Sequence, residues 1–370
     1  MLDLLPETLR TPVAFIIVLS VLIFVHELGH YLAARRVGVH VEVFSIGFGR
    51  ALWQRTDRNG TVWRVAVLPL GGYVKMHGQE QPQDVPEEER ASWRAEQTFH
   101  GKSVGRRAFV VAAGPGANFL LAIVLFIGLL FASGRPVVQP VVGDIVADSA
   151  AARAGLRPGD RILTIDGKAV ASFADIQRRV APFPGRSIVL GLERDGARHE
   201  VTASIAQRGS GAGAVGVLGI TGNKVDYVPV SALEAITGGT AHAWMVTTET
   251  LGGLWQMITG QRGAAELGGP LRIAQLSGEV AQHGFASLIS FIAVISINLG
   301  LINLFPIPVL DGGHLLFYAA EAIRGRPLPP AAMEYGLRAG IAVLVVLFVF
   351  ATWNDVTHLG IFRWVSNLIG

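Results

Sequence analysis

The run VAFIIVLSVLIFVHELGHYLAA, Val13 to Ala34, is apolar apart from a few residues, and three of these are the ionisable His26, Glu27 and His30. As a helix rising about 1.5 Å per residue it reaches about 33 Å, close to the hydrocarbon thickness of a bilayer. Ionisable groups at that depth cost several kcal/mol unless they pair or coordinate. Four helical steps of about 100° bring His26 and His30 to within about 40° of one another on one face. Such a pair suits two nitrogen ligands of one zinc ion, and Glu27 points aside, within reach of a water as general base. The bland alternative is three polar residues satisfied at a helix end.

Further runs extend this pattern. Ala108 to Gly134 and about Phe285 to Leu310 are free of charge, and Ala339 to Asn354 is a shorter run flanked by Arg338. Hydrophobic residues are 51% of the 370-residue chain and charged residues 16%; soluble domains carry about 25% charged residues. A polytopic α-helical membrane protein of about four transmembrane helices is therefore expected. Net charge is +3 with the basic residues spread out, so nucleic acid is not an expected partner. With no cysteine, disulfides and thiolate metal sites are excluded. Met1 to Thr11 has one basic residue and no small-residue cleavage site follows, so the first span is read as retained. Arg35 and Arg36, Arg106 and Arg107, and Arg324 and Arg326 place their loops in the cytoplasm and both termini outside.

A third metal ligand has to come from elsewhere. In Asn303-Leu304-Phe305-Pro306-Ile307-Pro308-Val309-Leu310-Asp311-Gly312-Gly313-His314 an acid ends an uncharged run, just after two prolines that break the helix. Backbone groups freed at depth are tolerable only where they line protein or a cavity, so Asp311 is the favoured ligand and His314 its rival. Val39 to Phe48 and Val62 to Val67 alternate around Asp57-Arg58-Asn59-Gly60, a hairpin signal, and the apolar content suits a hairpin dipping toward the membrane. Gln79 to Glu96 reads as an acidic linker. Residues about 136–223 are β-rich, with a helix over Phe173 to Ala181. There, Ala154-Gly155-Leu156-Arg157-Pro158-Gly159-Asp160-Arg161-Ile162-Leu163, followed by Ile165-Asp166-Gly167, resembles a circularly permuted bacterial PDZ domain.

The whole ordered set resembles the site-2 protease family of intramembrane zinc metalloproteases, in its bacterial RseP-like branch. The motifs are HELGH, Ser45-Ile46-Gly47-Phe48-Gly49, Pro69-Leu70-Gly71-Gly72-Tyr73-Val74-Lys75-Met76, Gly114-Pro115-Gly116-Ala117-Asn118-Phe119 and the Asn303 to Gly312 stretch. The resemblance implies zinc on His26, His30 and Asp311, with Glu27 as base. It also implies substrate contacts at Asn303 and at an edge strand containing Gly47, Phe48 and Gly49. The best-studied RseP-like members carry two tandem PDZ domains; this sequence offers one, as single-PDZ relatives in the wider family do.

The expected order is a first transmembrane helix (1–35), a cytoplasmic loop with a membrane-associated β-hairpin (36–105), a second helix (106–135) and an extracytoplasmic PDZ domain (136–222). An amphipathic membrane-surface segment (223–284) follows, then a third helix (285–316), and a cytoplasmic loop, fourth helix and interfacial tail (317–370). The expected function is regulated intramembrane proteolysis in the bacterial inner membrane. The active site is toward the cytoplasm and the PDZ domain is periplasmic, binding peptide or protein tails. By family analogy the substrates are single-span membrane proteins, an anti-sigma factor or remnant signal peptides. The alternative is a catalytically inactive membrane PDZ adaptor.

Overall fold

The computed structural model describes residues 6–79, 85, 87, 93–209, 214–263 and 268–358. The expected interfacial tail and most of the acidic linker lie outside the described residues. The chain runs through α1 (Glu7–Arg36), β1 (Val41–Thr56), β2 (Val62–Met76) and α2 (Val104–Ser133). Next come β3 (Arg135–Val138), β4 (Val142–Ile145), α3 (Ala150–Arg153), β5 (Arg161–Ile165), β6 (Lys168–Ala169), α4 (Phe173–Val180), β7 (Ser187–Arg194) and β8 (Ala197–Ser204). Short strands β9 (Ala206–Arg208), β10 (Val215–Val217), β11 (Ile220–Gly222) and β12 (Val225–Val228) follow. The helices α5 (Ala232–Ile258), α6 (Pro270–Gln282), α7 (Phe285–Asn303), α8 (Asp311–Arg324) and α9 (Pro330–His358) come last. Two compact units result: a β-rich one, Leu130–Glu234, and a helical one made from the rest.

In the helical unit, four helices among the described residues are long and apolar enough to cross a membrane: Leu9–Arg36, Val104–Ser133, Phe285–Asn303 and Pro330–Thr357. Val345, Val346, Leu347, Phe348 and Val349 on α9 are all exposed, an apolar surface that water would penalise and lipid would not. A polytopic membrane protein accounts for both observations. The third apolar run does not stay helical to Leu310; α7 stops at Asn303, because Pro306 and Pro308 cannot donate to a continuing ladder. Helix α5, within the segment expected at the membrane surface, packs against α2 and α7. Gly239 lies against Ile127, Ala243 clusters with Ala122, Phe126 and Ile297, and Thr250 donates to Asn298 at 3.1 Å.

The hairpin is more elaborate than two strands. Residues 43–46 of β1 pair on one side with 62–65 and on the other with 72–75, while 51–56 pair with 62–66. The order across this small sheet is thus 51–56, 62–66, 41–46, 72–76, which leaves 72–76 as an edge. Gly47 (φ +87°) and Gly49 (φ +86°) let β1 turn back on itself. The expected turn is present: the Asp57 carboxylate accepts from the Asn59 and Thr61 N–H groups at 2.8 and 3.0 Å.

In the β-rich unit, β5, β7 and β8 form an antiparallel sheet edged by β6. Ile162, Ile188, Leu190, Leu192 and Ala203 are fully buried beneath it.

Candidate metal centre

Helix α1 delivers His26 and His30 to one face, with their Nε2 atoms 3.2 Å apart. Asp311, the first residue of α8, brings Oδ2 to 3.2 Å from His26 Nε2 and 3.5 Å from His30 Nε2. Four-coordinate zinc with bonds of about 2.0–2.1 Å separates its ligand atoms by about 3.3 Å. The three spacings match that tetrahedral edge. Asp311 Oδ2 is buried and without a hydrogen-bond partner, a state that native interiors rarely leave unresolved. The donor set, two imidazoles and a carboxylate, suits zinc, and three ligands leave a fourth position open. Among the described residues these three form the one cluster that could hold a metal ion. His314 lines the same cavity but is not in the cluster.

The loop between α7 and α8 sets the position of Asp311. Val309 has φ +101°, a strained conformation for a β-branched residue, immediately before the short step into α8. A Cβ at Gly312 would stand 2.2 Å from the Leu304 carbonyl oxygen, so the loop closes only over glycine. Helix α8 is fixed in turn by Arg107 of α2, which pairs with Glu321 at 2.6 Å and lies 5.0 Å over the Tyr318 ring.

Helix α2 supports the imidazoles. His30 Nδ1 lies 2.9 Å from the Val110 carbonyl oxygen, and His26 Nδ1 lies 3.2 Å from the Asn118 side-chain amide. A Cβ on Gly114 would come within 2.2 Å of His30 Nε2, so glycine there makes room for the ring. At Gly29, small residues likewise allow close approach to Ala113 and Ala117.

The cavity over these groups, about 520 Å³, is lined by Glu27, Asn303 and the edge segment Gly72, Tyr73 and Val74. That is the size of an ordinary ligand site. Gly72 sits directly on α1, where an added Cβ would be 3.0 Å from Glu27 Cγ. Gly47, Phe48 and Gly49 do not line the cavity. Phe48 stacks on Tyr73 with ring centroids 6.2 Å apart. Gly72, Gly114 and Asn118 lie within the ordered sequence motifs, but the sequence alone assigns none of the three a role. Their signal, glycines and one amide in apolar surroundings, acquires meaning only once α1, α2 and the sheet lie side by side.

Comparison with known proteins gives a match to the model of Peptidase family M50 over residues 14–347. A Rhizobium meliloti protein whose name places it among zinc metalloproteases is 44% identical over 375 residues, covering 97% of this chain and 99% of its own length. Metalloprotease MmpA of Caulobacter vibrioides is 38% identical, over 96% of this chain and 98% of its own. Regulator of sigma-E protease RseP of Escherichia coli is 34% identical, over 94% of this chain and 98% of its own.

Proposed function

Because the chain belongs to peptidase family M50, we propose that it is a zinc-dependent endopeptidase of the bacterial inner membrane that cuts single-span membrane proteins within the bilayer. The observation that carries this reading is the convergence of His26, His30 and Asp311 at tetrahedral spacing, on and beside helices able to cross a membrane. These three residues would hold the zinc, which when bound supplies Lewis acidity toward a water and the scissile carbonyl. Glu27 takes the proton as the water oxygen bonds to the carbonyl carbon. It then delivers that proton to the amine nitrogen as the C–N bond breaks.

A helical substrate hides its own peptide bonds and has to be extended before attack. The edge segment from Gly72 to Val74, which lines the cavity over the metal ligands, can add such a strand through main-chain hydrogen bonds, with Asn303, another lining residue, holding the substrate backbone. This reading moves the substrate strand from Gly47–Gly49 to Gly72–Met76. Basic residues at the helix ends, Arg35, Arg36, Arg106 and Arg107, support a cytoplasmic active site and a periplasmic β-rich unit. That unit is read as a PDZ-type domain. Its groove, lined by Phe173, Ile176, Val180, Leu218 and Ile220, is apolar and suits a peptide tail, so it would screen substrates by their extracytoplasmic end. The substrates are an anti-sigma factor or remnant signal peptides.

The test is Glu27→Gln, measured for bound zinc and for membrane fragments by comparative proteomics. Zinc should stay and single-span fragments should accumulate. Normal turnover in this variant would leave a membrane adaptor as the surviving reading.

A further inference from the structure

We propose that Asn118 is a positioning residue for the metal centre: its side-chain oxygen accepts a hydrogen bond from Nδ1–H of His26 and so keeps His26 Nε2 bare for the ion. The inference rests on the zinc reading above. It starts from His30, whose Nδ1 faces the Val110 carbonyl oxygen at 2.9 Å. A carbonyl only accepts, so Nδ1 carries the proton and Nε2 offers its lone pair. His26 needs the same tautomer, since its Nε2 points at His30 Nε2 and Asp311 Oδ2, each 3.2 Å away.

The group facing His26 Nδ1 is the Asn118 amide, with Nδ2 at 3.2 Å. An amide nitrogen donates and cannot accept. With Nδ2 toward the ring, Nδ1 would have to be bare and the proton would move to Nε2, aiming an N–H into the ligand cluster. The same orientation leaves Asn118 Oδ1 buried with no partner. The two ends of an amide have nearly the same shape, and which one faces a neighbour is decided by the hydrogen-bond network. Turning the group by 180° gives Nδ1–H its acceptor in Oδ1 and turns Nδ2 to the buried side where Oδ1 now has no partner. Both histidines then share one tautomer, each fixed by α2.

The site is built to hold this amide still. Asn118 is 0% exposed, and its backbone carbonyl accepts from Ser296 Oγ of α7 at 2.8 Å. Outer hydrogen bonds of this kind set ring orientation and basicity at metal centres, and losing one typically weakens metal binding about 10- to 100-fold.

The experiment compares zinc affinity, by competition with a chelator, for the full-length detergent-solubilised protein and its Asn118→Leu and Asn118→Asp variants, alongside thermal melts of the metal-free forms. Asn118→Leu should lose about 10- to 100-fold in affinity with an unchanged metal-free melt. Asn118→Asp, which keeps an acceptor and loses the donor, should hold zinc at least as tightly as the natural protein. Equal loss in both variants, or no loss in Asn118→Leu, overturns the proposal. If Asn118→Leu does not fold, Asn118→Asp alone decides, because an accepting and a donating amide predict opposite results for it. His26→Ala is the separate control: unchanged zinc there would sink the zinc reading itself, whatever the Asn118 variants do.

Discussion

The β-rich unit and the helical unit handle buried polarity in opposite ways. In the former, Ile162, Ile188, Leu190, Leu192 and Ala203 form an apolar core, and its buried carboxylate, Asp160, is paired with Arg194 at 2.7 Å. In the latter, His26, His30, Asn118 and Ser296 are buried among apolar helices, and of five buried side-chain polar atoms without a hydrogen-bond partner among the described residues, two, Asn118 Oδ1 and Asp311 Oδ2, lie at the metal centre. The first unit reads as a protein optimised for packing. The second keeps two of its unresolved polar groups where a ligand would resolve them, which is where functional sites retain their strain.

The strongest way to break that contrast is to disturb one ring. Gly114→Ala puts a Cβ 2.2 Å from His30 Nε2, while Gly116→Ala, on the same helix, meets nothing within 4 Å. Displacing a ligand by about 1 Å costs about 100-fold in rate. Gly114→Ala should therefore lose zinc and at least about 100-fold in cleavage, with Gly116→Ala close to the natural protein. Parallel metal analysis and cleavage assays check this. Equal losses in both would show that helix packing, not ring position, is what Gly114 protects.

A core truncation should act on the other unit alone. Leu190 is 0% exposed, and Leu190→Ala should cost about 2–5 kcal/mol. Hydrogen exchange should report lost protection in β5, β7 and β8, with zinc content unaltered. If zinc fell with it, the two units would not be energetically separate.

The Asp160 pair gives a smaller, pH-dependent effect. Burial alone would raise this carboxyl, but the Arg194 guanidinium, at 2.7 Å from each oxygen, and the Arg157 N–H at 2.8 Å outweigh it and hold it below the ordinary 3.8. A carboxyl depressed on folding adds stability that is complete above its unfolded value and is lost as pH falls through its folded one. Protection of β5 and β7 should thus be flat from neutral pH to about pH 4 and fall below it. Asp160→Asn should remove that step and cost about 1–3 kcal/mol at neutral pH. An unchanged acid profile in the variant would assign the step to another group.

How far the sequence was readable follows the same divide. Spans, the HELGH face and the Pro306–Pro308 break are local signals of length, period and chain chemistry, so α1, α2 and the α7–α8 interruption could be anticipated. Asp311 could be favoured because an acid after a proline break in an apolar run is anomalous by itself. The order of the small sheet could not, because it depends on positive φ at both Gly47 and Gly49 folding β1 back so that 43–46 are flanked on both sides. Gly72, Gly114 and Asn118 are not legible in the sequence for the same reason: each matters through an element distant in sequence. Within the β-rich segment, β3 and β4 are separate strands rather than one, because Pro140 between them lacks the donor a continuous ladder needs.

Helix caps give the finest test of local against long-range design. At α4, Ser172 Oγ accepts from the Asp175 N–H at 3.2 Å, while the Asp175 carboxylate accepts from the Ser172 N–H at 2.9 Å, a capping box closed within four residues. At α6 no cap-residue side chain does this. Instead the Asp355 carboxylate on α9 accepts from the Gly269, Leu271 and Arg272 N–H groups at 2.8, 3.0 and 3.1 Å. A local cap supports only its own helix, so Ser172→Ala should cost about 1 kcal/mol. The loss of amide protection should be confined to α4 and the groove it lines, with β5, β7 and β8 untouched. Protection lost across the whole β-rich unit would mean that α4 is part of its cooperative core, and the distinction between local and long-range capping would not hold there.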